Sequence, residues 1–176
     1  MKVICYGDSN TFGYNPCARC GEMYDRRWTD ILAEKTGWQI INEGVNGREV
    51  PREPVVISKE IDLCLVMLGT NDLLQLDTPD AAAERMEVFL SGVEHQKLVL
   101  IAPPPMIPGE WVQDDELIED SHRLVQLYKE LSERLNIRFC NAGDWHVPLA
   151  YDGVHFTMEG QEIFAEALYH ALKGWY

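Results

Sequence analysis

An α/β fold with a five-stranded parallel sheet is predicted by three observations. Short apolar runs alternate with amphipathic helical patterns along the chain, the mark of a parallel sheet covered by helices on both faces. The run Leu63–Leu68 is apolar at every position, as in a strand buried on both sides. No linker, repeat or low-complexity segment divides the 176 residues, so one domain, 1–176, is expected.

Each element has its own signal. Val3–Tyr6 is a β-branched and aromatic run that stops at Gly7. Trp28, Ile31, Leu32 and Lys35 keep helical spacing, and Gly37 ends that helix. Trp38–Asn42 reads as the second strand, and Leu63–Leu68, closed by Gly69, as the third. Thr78-Pro79 is an N-cap followed by proline in the first turn. Ala82, Met86, Phe89, Leu90 and Val93 then form one stripe. Lys97–Ala102 is the fourth strand, stopped by Pro103-Pro104-Pro105, and a loop over 106–113 follows. From Asp114 a long helix buries Leu117, Ile118, Ser121, Leu124, Val125, Tyr128, Leu131 and Leu135, with acidic residues at its positive end. Ile137–Cys140 is the fifth strand, 141–157 a polar loop, and Ile163, Phe164, Ala167, Leu168, Ala171 and Leu172 line the last helix. These elements stack as a three-layer α/β/α sandwich, flavodoxin-like, in which ligands bind outside the carboxyl ends of the strands.

Composition narrows the partners. The formal net charge is −14, which argues against nucleic acid and anionic lipid, since both are held through Lys and Arg. Residues 1–60 carry 8 basic and 9 acidic side chains, and residues 61–176 carry 7 and 20, which reads as a solvated acidic surface. No stretch reaches the roughly 18 apolar residues of a membrane span. The N-terminus meets Asp8 too early for a signal peptide, which points to the cytoplasm if Met1 is the native start. Cys5, Cys64 and Cys140 sit in apolar runs as small buried residues. Cys17 and Cys20 form one C-x-x-C with no second pair to complete a zinc site, so no metal and no cofactor are expected. Trp175 and Tyr176 leave two readings open, packing on their own domain or on a second copy in a homo-oligomer.

The chemistry lies at the strand ends. Gly7-Asp8-Ser9-Asn10 follows the first strand, Glu43-Gly44-Val45-Asn46-Gly47-Arg48 the second and Gly69-Thr70-Asn71-Asp72 the third. Tyr151-Asp152-Gly153-Val154-His155 lies beyond the fifth. Together they supply a hydroxyl, an imidazole, a carboxylate and N–H donors, the parts of acyl transfer. Ser9 attacks, His155 takes its proton and Asp152 orients the imidazole. The backbone N–H groups of Ser9 and Gly47 and the side-chain amide of Asn71 hold the oxyanion. Of five serines, Ser9 alone stands at a strand's carboxyl end beside glycine, and no G-x-S-x-G elbow is present. Ser58 lies in a Pro-flanked connection, and Ser91, Ser121 and Ser132 lie on helices. Of the other histidines, His122 and His170 lie on helices, His95 precedes a strand and His146 lies near Asp144. Asp8 and Asp72 are read as structural. Trp111 and its loop are read either as a lid or acyl pocket, or as an exposed loop without a role in substrate choice.

These blocks resemble the SGNH hydrolases, also called the GDSL esterase/lipase family. Gly7-Asp8-Ser9-Asn10 resembles its nucleophile block, Gly47 its oxyanion glycine, Gly69-Thr70-Asn71-Asp72 its oxyanion-asparagine block and Asp152-Gly153-Val154-His155 its Asp–His block. The four occur in order over residues 4 to about 160. Arg27-Trp28 and Asn42–Arg48 are similar to the small arylesterase and acyltransferase branch. Three positions depart from the pattern or compete within it. Asn10 replaces the usual Leu, which argues against a greasy lipase pocket. Gly44 competes with Gly47, which is preferred on the family's spacing. Val50 replaces the branch's usual Thr. The resemblance implies a serine esterase acting on short, acetyl-like esters of small alcohols or sugars. An acyltransferase or thioesterase would use the same site. From another class, the size and charge fit a flavodoxin-like flavin- or nucleotide-binding module, with Ser9, Thr11 and Gly13 around a phosphate. A catalytically dead relative is a third reading.

Overall fold

Leu63, Leu65 and Met67 face one side of the sheet and Cys64, Val66 and Leu68 the other, so the central run belongs to two cores at once. The computed structural model describes residues 1–94 and 97–174. His95, Trp175, Tyr176 and the side chain of Cys20 lie outside the described residues. The strands are β1 (Lys2–Gly7), β2 (Gln39–Gly44), β3 (Leu63–Met67), β4 (Leu98–Ala102) and β5 (Arg138–Asn141). They pair in parallel in the order β2-β1-β3-β4-β5. The chain is therefore an α/β sandwich with a five-stranded parallel sheet.

Helices cover both faces. α2 (Trp28–Thr36) and α6 (Met158–Leu172) share one core, where Trp28 and Phe164 meet at 5.0 Å between ring centroids. α4 (Pro79–Leu90) and α5 (Asp115–Leu135) share the other, around Phe89, Leu124 and Tyr128. Thr78 caps α4 with its side chain, as the sequence predicts, and Asp114 caps α5 in the same way. Two short helices are additions to the expected pattern: α1 (Ser9–Phe12) and α3 (Thr70–Leu74). Both are single capped turns, too short to show a period.

Every strand differs from expectation by one or two residues at an end, most of all β2, and the 141–157 segment is more structured than a polar loop. β2 runs to Gly44 and not Asn42, because a half-exposed edge strand accepts Glu43 and Gly44, which carry no apolar signal in the sequence. The 141–157 segment holds a 3₁₀ turn at Ala142–Trp145 and buries Val147, Val154 and Phe156. Phe156 stacks on Phe164 of α6 at 5.1 Å, which anchors the polar loop from below. Among the described residues no helix is long and apolar enough to cross a membrane.

The strand order reverses at β1, with β2 on one side and β3 on the other. Such a switch point opens a crevice at the carboxyl ends of the strands. The loops after β1, β2 and β3 all leave the sheet there.

Candidate active site

β1 delivers the chain into α1 within one residue. Asp8 caps that helix by accepting the Asn10 N–H at 2.9 Å, which leaves Ser9 in the first turn with its hydroxyl at the crevice. Burial pushes the Asp8 carboxyl up to about 6, although the Asn10 N–H and the nearby His155 oppose the rise. This carboxyl occupies the N-terminus of α1, where a phosphate-binding module would need to hold its anion.

Ser9 Oγ lies 3.0 Å from His155 Nε2, and His155 Nδ1 lies 2.7 Å from Asp152 Oδ2. All three side chains are buried. Asp152 Oδ1 accepts the N–H groups of Val154 and His155, each at 2.9 Å. Burial raises this carboxyl, but the His155 ring and those two N–H groups outweigh it and hold the group below the usual carboxylate range. An ionised Asp152 accepts only. The imidazole proton therefore sits on Nδ1, and the Nε2 lone pair faces Ser9. Tyr14 and Trp111 flank the ring, with centroids at 4.6 and 5.0 Å.

Opposite this chain lies the loop after β2. Arg48 N–H closes a turn on Val45 O at 3.1 Å, and Gly47 within it takes a left-handed φ of +72°. Among the described residues, the N–H groups of Ser9 and Gly47 have no protein acceptor. Gly44 differs from Gly47 on both counts. Its N–H goes to Asn42 Oδ1 at 2.8 Å, and a side chain there would come within 2.1 Å of Phe12 N. Gly44 thus lets α1 approach β2, while Gly47 lines the cleft.

α3 brings Asn71 to the same cleft. One hydrogen of its Nδ2 goes to Arg48 O at 3.2 Å, and the other is free to meet a ligand. Next to it, Asp72 is fully buried and accepts Val50 N–H through both oxygens, at 3.2 and 3.1 Å. Arg85 of α4 neutralises it at 2.6 Å and also reaches Asp77 at 2.5 Å. Arg48 stacks 4.2 Å above the Tyr6 ring and donates to Gly7 O and Glu43 O. The loop after β2 is thus tied to β1 and α3 at its base, while Val45, Asn46 and Gly47 stay exposed.

The cleft has a volume of about 540 Å³, within the range of small-molecule sites. Its walls are Ser9, Tyr14, Asn46, Gly47, Asn71, Leu74, Gln75, Trp111 and His155. The 106–113 loop is sewn to the Asp152 turn. Ile107, Glu110 and Trp111 donate backbone N–H groups to Gly153, Tyr151 and Asp152 at 3.0–3.1 Å. Trp111 is 49% exposed, with its edge on the His155 ring.

The structure thus brings together Ser9, Gly47, Asn71, Asp152 and His155. It leaves His122, His146 and His170 exposed, with His170 on Glu166 at 2.9 Å. Among the described residues no group of three or more His, Cys, Asp or Glu side chains can hold a metal. Cys17 is exposed and unpaired. Tyr14, Asn46, Leu74 and Gln75 join the lining without having been singled out in the sequence. Their only signal was position: Asn46 lies within a strand-end block, and Tyr14, Leu74 and Gln75 two to four residues beyond one. Asn10 behaves differently from its reading as a pocket residue: its side chain is buried and turns to the loop holding His155.

Comparison with known proteins agrees with this geometry. The GDSL-like Lipase/Acylhydrolase family matches residues 5–163. An aryl esterase of M. smegmatis superposes with a TM-score of 0.86 at 24% identity, covering 99% of each chain. A carbohydrate acetylesterase from Sinorhizobium meliloti gives 0.83 at 25% identity, again over 99% of each chain. A lipase/acylhydrolase from Enterococcus faecalis gives 0.77 at 20% identity, over 98% of this chain and 95% of that one. Comparison with curated proteins gave no match. With a family match over most of its length, the chain is a carboxylic ester hydrolase of the GDSL-like lipase/acylhydrolase family.

Proposed function

We propose that the chain hydrolyses short-chain acyl esters of small alcohols or sugars through an acyl-Ser9 intermediate. One observation carries this: the Asp152–His155–Ser9 hydrogen-bond chain opens onto a cleft that also holds unpaired N–H donors. His155 Nε2 takes the Ser9 proton as Oγ attacks the ester carbonyl carbon. Asp152 keeps the imidazole in the tautomer that can do this and stabilises the imidazolium. Charge moves to the carbonyl oxygen, where the N–H groups of Ser9 and Gly47 and the free Asn71 amide hydrogen meet it. His155 then gives the proton to the leaving alkoxide oxygen. In the second half a water attacks the acyl carbonyl carbon while His155 takes its proton. The Ser9 oxygen leaves and is reprotonated.

The cleft supports a short acyl group. About 540 Å³ must hold acyl group and alcohol together, and the lining combines the amides of Asn46 and Gln75 with the rings of Tyr14 and Trp111. A lining of amides and aromatic rings suits a polar alcohol such as a sugar. The structural likeness to an aryl esterase of M. smegmatis and a carbohydrate acetylesterase of Sinorhizobium meliloti supports the same substrate range. We place the reaction in one domain and in the cytoplasm. The free thiols of Cys5, Cys17, Cys64 and Cys140 support a reducing compartment.

Hydrolysis of p-nitrophenyl acetate, butyrate and octanoate by wild type and Ser9→Ala tests this. The expected order of kcat/KM is acetate, butyrate, octanoate, with about a 10⁴-fold or greater loss in Ser9→Ala. Undiminished turnover by Ser9→Ala, or a preference for octanoate, contradicts it.

A further inference from the structure

We propose that Asn10 is a positioning residue that sets the Ser9–His155 distance by gripping the peptide groups on either side of the base; this rests on the catalytic roles proposed above for Ser9 and His155. The side chain of Asn10 is 3% exposed and lies behind the nucleophile. Its Nδ2 donates to Val154 O at 3.1 Å, and its Oδ1 accepts Phe156 N–H at 2.8 Å. Residues 154 and 156 flank His155. One side chain next to the nucleophile thus holds both neighbours of the base.

The rest of the loop shows why this grip is decisive. Asp152 Oδ1 holds the N–H groups of Val154 and His155, and His155 O accepts Ala150 N–H at 2.7 Å. Those bonds fix the loop within itself, not against Ser9. Among the described residues, the two Asn10 side-chain bonds are the only hydrogen bonds between α1 and residues 152–156 besides Ser9–His155. Asn10 is itself held, through its N–H on Asp8 and its carbonyl oxygen on Trp28 Nε1 at 3.1 Å.

The residue type is dictated by the partners. A carbonyl oxygen needs a donor and an N–H needs an acceptor, and an amide offers one of each at this length. The partners also fix which way the amide points. A leucine at this position offers neither, and an ionised aspartate offers two acceptors. A protonated aspartate restores the donor and the acceptor together.

Asn10→Leu and Asn10→Asp are the test, with Ser9→Ala as reference and p-nitrophenyl acetate as substrate. Misplacing a reacting group by about 1 Å costs on the order of 10²-fold in rate. Asn10→Leu is therefore expected to lose about that factor in kcat with KM nearly unchanged, and to label more slowly at Ser9 with a serine-directed phosphonate. For Asn10→Asp, the ratio of its kcat to that of wild type is expected to rise as pH falls and the new carboxyl protonates. General loosening of the fold would not produce that pH-dependent rescue. Wild-type kcat in a folded Asn10→Leu, or a flat ratio for Asn10→Asp, overturns the proposal while leaving Ser9 as nucleophile. Full activity of Ser9→Ala overturns the catalytic reading and this inference with it.

Discussion

The two walls of the cleft are built in opposite ways. On the proton-transfer wall, Ser9, Asn10, Asp152 and His155 are all buried, and their side chains and the peptide groups around His155 form a closed network. On the carbonyl-holding wall, Val45, Asn46 and Gly47 are exposed, and the Gly47 N–H is unpaired. That wall is anchored at its base, through Val45 N–H on Gly7 O, Arg48 on Tyr6, Gly7 O and Glu43 O, Asn71 on Arg48 O and Asp72 on Val50 N–H. The difference follows from what each wall must do. A proton crosses a fixed 3.0 Å gap on one side, whereas the other must receive an oxygen from a ligand that enters from solvent.

The largest effect should come from breaking the buried wall. Asp152→Asn keeps the shape of the loop but favours the wrong His155 tautomer. We expect kcat to fall by about 10⁴-fold, or about 5.5 kcal/mol. Steady-state rates with p-nitrophenyl acetate check this, and a loss below tenfold would show that the tautomer is set elsewhere.

Removing one donor from the open wall should cost less. Asn71→Ala deletes the free amide hydrogen and the tie to Arg48 O together. A fall of about 10²–10³-fold in kcat is expected, with KM little changed. A change confined to KM would mean that Asn71 binds the ground state of the substrate.

Asp8 sharpens the comparison through stability. Folding raises its carboxyl from 3.8 to about 6, so the folded chain holds that proton more tightly than the unfolded chain. Its contribution is fully present below about pH 4 and is lost as pH rises through about 6, which amounts to about 3 kcal/mol. Urea unfolding at pH 4 and pH 7 should show a smaller loss on raising the pH in Asp8→Asn than in wild type. Equal losses would place the titration on other groups.

Trp111 should give the smallest effect. It rims the open side of the cleft while its edge touches the His155 ring. Trp111→Ala is expected to raise KM several-fold with kcat within about threefold, a change worth about 1 kcal/mol. A large fall in kcat would assign it to holding the imidazole.

The legibility of the chain also differs by region. β3 and β4 were readable because every residue is apolar, and α5 because its stripe runs for 21 residues. α1 and α3 were not, because four or five residues carry no period and are held by their caps. At the site, Ser9, Asn71, Asp152 and His155 stood out as strand-end residues and Gly47 by the family's spacing; the structure brings Ser9, Gly47, Asn71 and His155 to one cleft, with Asp152 on His155. The supports of Asp72 and Asn10 left no trace. Val50 N–H, Val154 O and Phe156 N–H are backbone groups that every sequence has, and for Asn10 they lie more than 140 residues away. The course of the backbone likewise decided that Gly47 lines the cleft while Gly44 packs on Phe12.

The central claim is that Ser9 carries the acyl group. The most direct measurement is peptide mapping by mass spectrometry after acid-quenching wild type and Ser9→Ala during turnover of p-nitrophenyl acetate. The account predicts an acetyl group on Ser9 in wild type, formed in the initial burst and decaying as substrate runs out, with no adduct in Ser9→Ala. An acetyl group on another residue in both proteins, or unimpaired hydrolysis by Ser9→Ala, would contradict it.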